Sequence, residues 1–135
     1  MRNIVLLLPS SVNLAQIRSV LERSGFGPFI GDGDELQWSL PDGSDRINFD
    51  EIDQTETRLE YDEDFPALLE SPDWRFFACT FESSETAARM ARAILAEWQE
   101  GFVDLSDTRW GVLSALEYLN RPEDSGPAWW SRMRS

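Results

Sequence analysis

Arg75-Phe76-Phe77-Ala78-Cys79-Thr80-Phe81 is an almost unbroken apolar run that ends on Glu82-Ser83-Ser84, and its reading decides the fold. Near the start of the chain, Ile4-Val5-Leu6-Leu7-Leu8 is its counterpart, ending on Pro9-Ser10-Ser11. A strand with one wet face alternates apolar with polar residues, whereas a strand covered on both faces is apolar throughout. Both runs therefore read as strands in the middle of a sheet. Each leads into serines suited to cap a helix. Beyond Ser10 or Ser11, Leu14, Ile17 and Leu21 recur at helical spacing, and Gly25 is placed to end that helix. Beyond Ser83 or Ser84, the stripe is Ala87, Met90, Ala91, Ile94 and Trp98, and Gly101 closes it.

Hairpins follow both helices. After the glycine-rich connection from Gly25 to Gly33, Leu36, Trp38 and Leu40 alternate with polar residues, as do Ile47 and Phe49. Pro41-Asp42-Gly43-Ser44 between them is turn chemistry. Phe102–Leu105 and Trp110–Leu113 form the second hairpin, around Ser106-Asp107-Thr108. Ser114 and Glu117 have capping-box spacing, which predicts a last helix from Ala115 to about Arg121, stopped by Pro122. Between the halves, Thr57, Leu59 and Tyr61 predict a further strand, and Asp64-Phe65-Pro66 opens a helical turn through Leu69.

The expected class is α+β: a ferredoxin-like sandwich of two β-α-β-β type halves, with an added short C-terminal helix and a Trp-rich tail. Residues 1–121 form one domain. Residues 122–135, with Trp129-Trp130, form a tail that packs on the domain or on a partner. One face of the sheet carries the helices. The other face needs a cover, supplied by the tail, by a second copy in a homodimer, or by a partner.

Charge is as unevenly distributed as hydrophobicity. The net charge of the 135 residues is −13, and Asp32–Asp73 alone holds fifteen Asp and Glu against two Arg. The flanks nearly cancel. A chain this acidic repels nucleic acid and anionic membranes and attracts a basic protein. The apolar run Ile4–Leu8 is shorter than the roughly 7–15 residues of a signal-peptide core, so a cytoplasmic protein is expected.

The residues that usually do chemistry are scarce. There is no His and no Lys, which excludes Ser-His-Asp and Cys-His catalysis, Schiff-base chemistry and a P-loop. Cys79 lies mid-strand among phenylalanines and reads as a buried structural thiol. Gly31-Asp32-Gly33-Asp34-Glu35 begins like a calcium loop, but Leu36 and Gly43 occupy the fifth and twelfth positions, where oxygen ligands belong. No cofactor and no metal are expected. Carboxylate pairs such as Glu82 with Glu85, or Asp62 with Asp64, are what acid-base chemistry would have to use.

The acidic segment is the candidate for function. With Ile47, Phe49, Leu59 and Tyr61 facing inward, Asp50, Glu56, Glu60 and Asp62 face out. The residues assigned to partner binding are Asp50, Glu51, Asp53, Glu56, Glu60, Asp62, Glu63 and Asp64, with Asp32, Asp34 and Glu35 next.

Residues 75–121 carry a resemblance. Ser83-Ser84-Glu85 precedes an Ala-rich amphipathic helix. Ala96-Glu97-Trp98-Gln99-Glu100-Gly101-Phe102-Val103-Asp104 and Val112-Leu113-Ser114-Ala115-Leu116-Glu117-Tyr118-Leu119 follow. This pattern of strand, helix, hairpin and short helix resembles the small acidic immunity proteins of bacterial polymorphic-toxin systems. The resemblance implies a protein that is not an enzyme and that neutralises a cognate toxin with a basic surface by occluding it. It assigns no individual residue. The competing classes are a nucleic-acid mimic that blocks a DNA-binding protein, a small-ligand regulatory module, and a carboxylate-only hydrolase.

Overall fold

The computed structural model describes residues 2–27, 29–31, 35–39, 45–52, 74–105 and 111–120. The strand expected at 57–61, the helical turn at 64–69, Leu40, Trp110, the hairpin turns at 41–44 and 106–108, and the tail 122–135 lie outside them.

The described elements are β1 (Arg2–Pro9), α1 (Leu14–Arg23), β2 (Glu35–Trp38), β3 (Ile47–Ile52), β4 (Trp74–Phe81), α2 (Ser84–Glu97), β5 (Phe102–Leu105), β6 (Gly111–Ser114) and α3 (Ala115–Leu119). The strands form one antiparallel sheet in the order β2-β3-β4-β1-β5-β6. The protein is thus a mixed α+β fold built on a six-stranded sheet, and its two apolar runs, β1 and β4, do take the central places. They pair along their whole length, from Arg2 with Phe81 to Pro9 with Trp74.

Each half contributes β-α-β-β, but the halves join the sheet differently. From the second half, β5, which follows its helix directly, pairs with β1. From the first half, β3 and not β2 pairs with β4. Connection length is the reason. Four residues separate α2 from β5, so β5 runs parallel to β4, with β1 between them. Eleven residues separate α1 from β2. Part of that connection runs back along the sheet edge, where Ile30 exchanges two backbone hydrogen bonds with Gln37, at 2.9 and 2.7 Å. The chain then re-enters as β2 in the opposite sense, and β3 becomes the strand parallel to β1.

The helix ends show which local signals decide. At α2, Ser83 is the N-cap and accepts from the Thr86 N–H. At α3, Ser114 and Glu117 form the expected capping box. At α1, the expected cap at Ser10 or Ser11 is corrected to Asn13, whose side chain accepts from the Gln16 N–H while Gln16 Oε1 accepts from the Asn13 N–H. The serines belong to a turn closed by Val12 N–H donating to Pro9 O at 2.9 Å. That turn buries Val12 and moves the cap two or three residues along the chain. Gly25 ends α1 as expected. It sits at φ +96°, its N–H donates to Glu22 O, and the Phe26 N–H donates to Leu21 O, both contacts of a Schellman motif. Gly101 has a different task from helix closure, since Trp98 is the C-cap of α2. A Cβ at Gly101 would lie 2.9 Å from Leu7 O and 3.0 Å from Leu8 Cδ2, so only glycine lets this loop pass against β1.

The main core lies between the sheet and the helices. Ile4, Leu6, Leu8, Ile47, Phe49, Phe77, Cys79, Phe81, Val103 and Leu105 face Leu14, Ile17 and Leu21 of α1, the α2 stripe, and Ala115 and Tyr118 of α3. Cys79 is fully buried there, and desolvation pushes its thiol far up, which makes it a structural residue. The sheet's second face carries a smaller cluster of Leu7 and Phe76, with Val5, Ile52, Trp74 and Phe102 around them. Leu7 is 0% and Phe76 1% exposed, so a single chain suffices to bury the centre of this face.

Candidate docking face

The second face of the sheet is where the acidic segment meets the scaffold. Because neighbours alternate in direction along a strand, β3 sends Ile47 and Phe49 into the main core and presents Asn48, Asp50 and Ile52 on the second face. From β2, Leu36 goes to the core, so Glu35 and Gln37 join Asp50 and Asn48. Register then builds rows across the sheet. Ile52, Phe76, Leu7 and Phe102 form an apolar row over β3, β4, β1 and β5. The Trp74 ring stands edge-on to Phe102, with centroids 5.6 Å apart. The next row is Glu35, Asp50, Ala78, Val5 and Asp104. Beyond it lie Gln37, Asn48 and Thr80. The face therefore grades from apolar to acidic to neutral polar along the strand direction.

Glu35 and Asp50 are direct cross-strand partners. Gln37 spends its backbone N–H and C=O on Ile30 at the outer edge, so Gln37–Asn48 is a non-hydrogen-bonded pair. Two residues along, Glu35–Asp50 is one too, and in such pairs the side chains approach most closely. Each carboxylate takes an amide from its own strand: Gln37 Nε2 donates to Glu35 Oε1 at 3.0 Å, and Asn48 Nδ2 donates to Asp50 Oδ1 at 3.4 Å. Partial burial, and secondarily the charge of Glu35, raise the Asp50 pKa above its ordinary value.

Glu51 lies apart from this pair. It points to the other side of the sheet, where Arg75 holds it through two contacts, Nε to Oε2 at 3.0 Å and Nη2 to Oε1 at 2.5 Å. This bidentate pair raises the Arg75 pKa and occupies Glu51 within the chain. Glu82 and Glu85 are likewise taken, by Arg46 at 3.4 Å and Arg89 at 2.8 Å, so nothing brings them together as an acid-base pair. Of the remaining residues assigned to binding, Asp32, Asp34, Asp53, Glu56, Glu60, Asp62, Glu63 and Asp64 lie outside the described residues. Among the described residues, no three His, Cys, Asp or Glu side chains converge as a metal site would require.

Two carboxylates of structural interest were not singled out in the sequence. Asp104 is only 2% exposed and shares the row of Asp50, roughly 14 Å away across three strand spacings. Its signal was an acid inside an otherwise apolar strand, Phe102-Val103-Asp104-Leu105. Asp45 adopts φ +54°, a conformation that Asp tolerates better than most residues. Its Oδ2 accepts from Thr86 Oγ1 at 2.7 Å, tying the entry of β3 to the first turn of α2. No local signal marks that link, because the two residues are 41 apart in sequence.

Among the described residues, no helix is long and apolar enough to cross a membrane. No family model matches the chain, and no curated protein and no solved structure matches it.

Proposed function

We propose that this protein is a cytoplasmic immunity or inhibitor protein that binds a cognate bacterial toxin and occludes it with an acidic surface. The observation that carries the reading is the Glu35–Asp50 pair. The scaffold holds two carboxylates side by side on a sheet face, Asp50 partly desolvated, within the segment that carries the net charge. Like charges placed so cost folding stability, and a cationic partner would repay that cost on binding. The apolar row beside them is buried within the chain at its centre and serves as scaffold, and electrostatics would speed the encounter. The scaffold itself reads as ferredoxin-like. What supports this is the order that remains without the two edge strands, β3-β4-β1-β5, with each half's parallel pair split by a strand of the other.

The test is co-expression with the product of the neighbouring gene. A stoichiometric complex that abolishes that product's toxicity is expected. Replacing Asp50, Glu56, Glu60 and Asp62 by Lys should slow association at least tenfold at low salt and flatten its salt dependence. An unchanged association rate refutes the electrostatic role. Displacement of the partner by duplex DNA would instead mark a nucleic-acid mimic.

A further inference from the structure

The Glu35–Asp50 pair has a consequence for the sheet edge that does not depend on any partner. Strand β2 is four residues long and is the outermost of the six named strands on its side. Its hydrogen-bonded pairs with β3 are Leu36–Phe49 and Trp38–Ile47, the alternates of the pairs left open at Gln37 and Glu35. The side chains facing Asp50 can be named strand by strand. From β2 there is Glu35, and from β4 there is Ala78, which carries no charge. Its own strand supplies the neutral Asn48. Asp104 lies three strands away in the same row, and the Glu51–Arg75 pair is on the opposite side of the sheet. Among the described residues, no cation answers the two carboxylates on this face.

We propose that Glu35 and Asp50 form a proton-operated latch on the sheet edge. With both ionised, repulsion lets β2 open from β3; with Asp50 protonated, β2 closes. The raised pKa of Asp50 agrees with this geometry. A carboxyl whose native pKa lies above its unfolded value favours the folded form when protonated. Stability is therefore gained as pH falls through the raised native value and is complete below the ordinary value of 3.8. It is lost as pH rises above that raised value, where the latch loosens.

Amide hydrogen exchange followed by NMR from pH 4 to pH 7.5 tests this. The Leu36 and Trp38 amides report opening of β2, and D50N leaves their sequence neighbours unchanged, so their intrinsic exchange is the same in both proteins. At pH 7, D50N should raise their protection about two- to fivefold, the range expected for removing one of two directly opposed like charges. The gap should narrow as pH falls toward 4. E35Q should do the same, read at Trp38 because Glu35 is the sequence neighbour of Leu36, and the double variant should add nothing to either single change. The Leu6 amide in β1 should not respond. A gap that persists unchanged at pH 4, lower protection in D50N, additive single effects, or an equal response at Leu6 would each overturn the latch. Loss of partner binding alone would leave it standing.

Discussion

Truncating Phe76 to alanine tests whether the second face of the sheet is a true core of the isolated chain. Phe76 is 1% exposed and sits in the row Ile52–Phe76–Leu7–Phe102, which spans four strands. Removing a buried phenyl ring deletes its transfer free energy and leaves a cavity, about 3–5 kcal/mol together. Leu7→Ala, from a 0% exposed position, should cost about 2–5 kcal/mol. Both are large against the roughly 5–15 kcal/mol that holds a domain together. For a chain of this size, the Phe76 change should lower Tm by about 11–18 °C. Ile30→Ala is the control: Ile30 is 77% exposed, and its loss should stay within about 0.5 kcal/mol. Urea unfolding measures the difference, provided that the m-value holds. A Phe76→Ala cost below about 1 kcal/mol would refute the reasoning. So would a wild-type midpoint that climbs with protein concentration, because a second copy would then be covering the face.

Two local predictions follow from the helix ends. Asn13→Ala should destabilise by about 1 kcal/mol in thermal or urea melts, while Ser10→Ala and Ser11→Ala stay within about 0.5 kcal/mol. The reverse ranking would return the cap to the serines. Gly101→Ala should cost about 1–3 kcal/mol, because the new methyl meets the backbone of β1 at Leu7 O, which cannot turn aside as a flexible side chain could. A neutral Gly101→Ala would mean that the loop does not pass where the structure places it.

The elements were legible because their signals are local. The α2 stripe, the capping box at Ser114 and Glu117, the αL glycine at Gly25 and the alternation of β2 and β3 each lie within a few residues of sequence. Asn13 was missed because three neighbouring polar residues can all cap a helix. The choice among them fell to Val12, which buries itself in the turn that leaves β1. The Glu51–Arg75 pair was not legible for a related reason. Alternation counted from Phe49 places Glu51 on the core side, but only the register with β4 brings Arg75 within reach of it.

By itself, the sequence determined, among the described residues, which segments are strands and helices and which two strands are central, and it showed that negative charge gathers between the halves. Periodicity and composition suffice for that. Only the tertiary structure decided that β3 and not β2 joins β4, because an eleven-residue connection has room to double back along the edge and a four-residue one does not. That pairing sets the register that places Glu35 opposite Asp50, and a slip of one residue would have turned every side chain of β2 to the other face. The acidic character of this protein is a property of its composition, but the side-by-side carboxylates that give it a chemical consequence are a property of strand pairing.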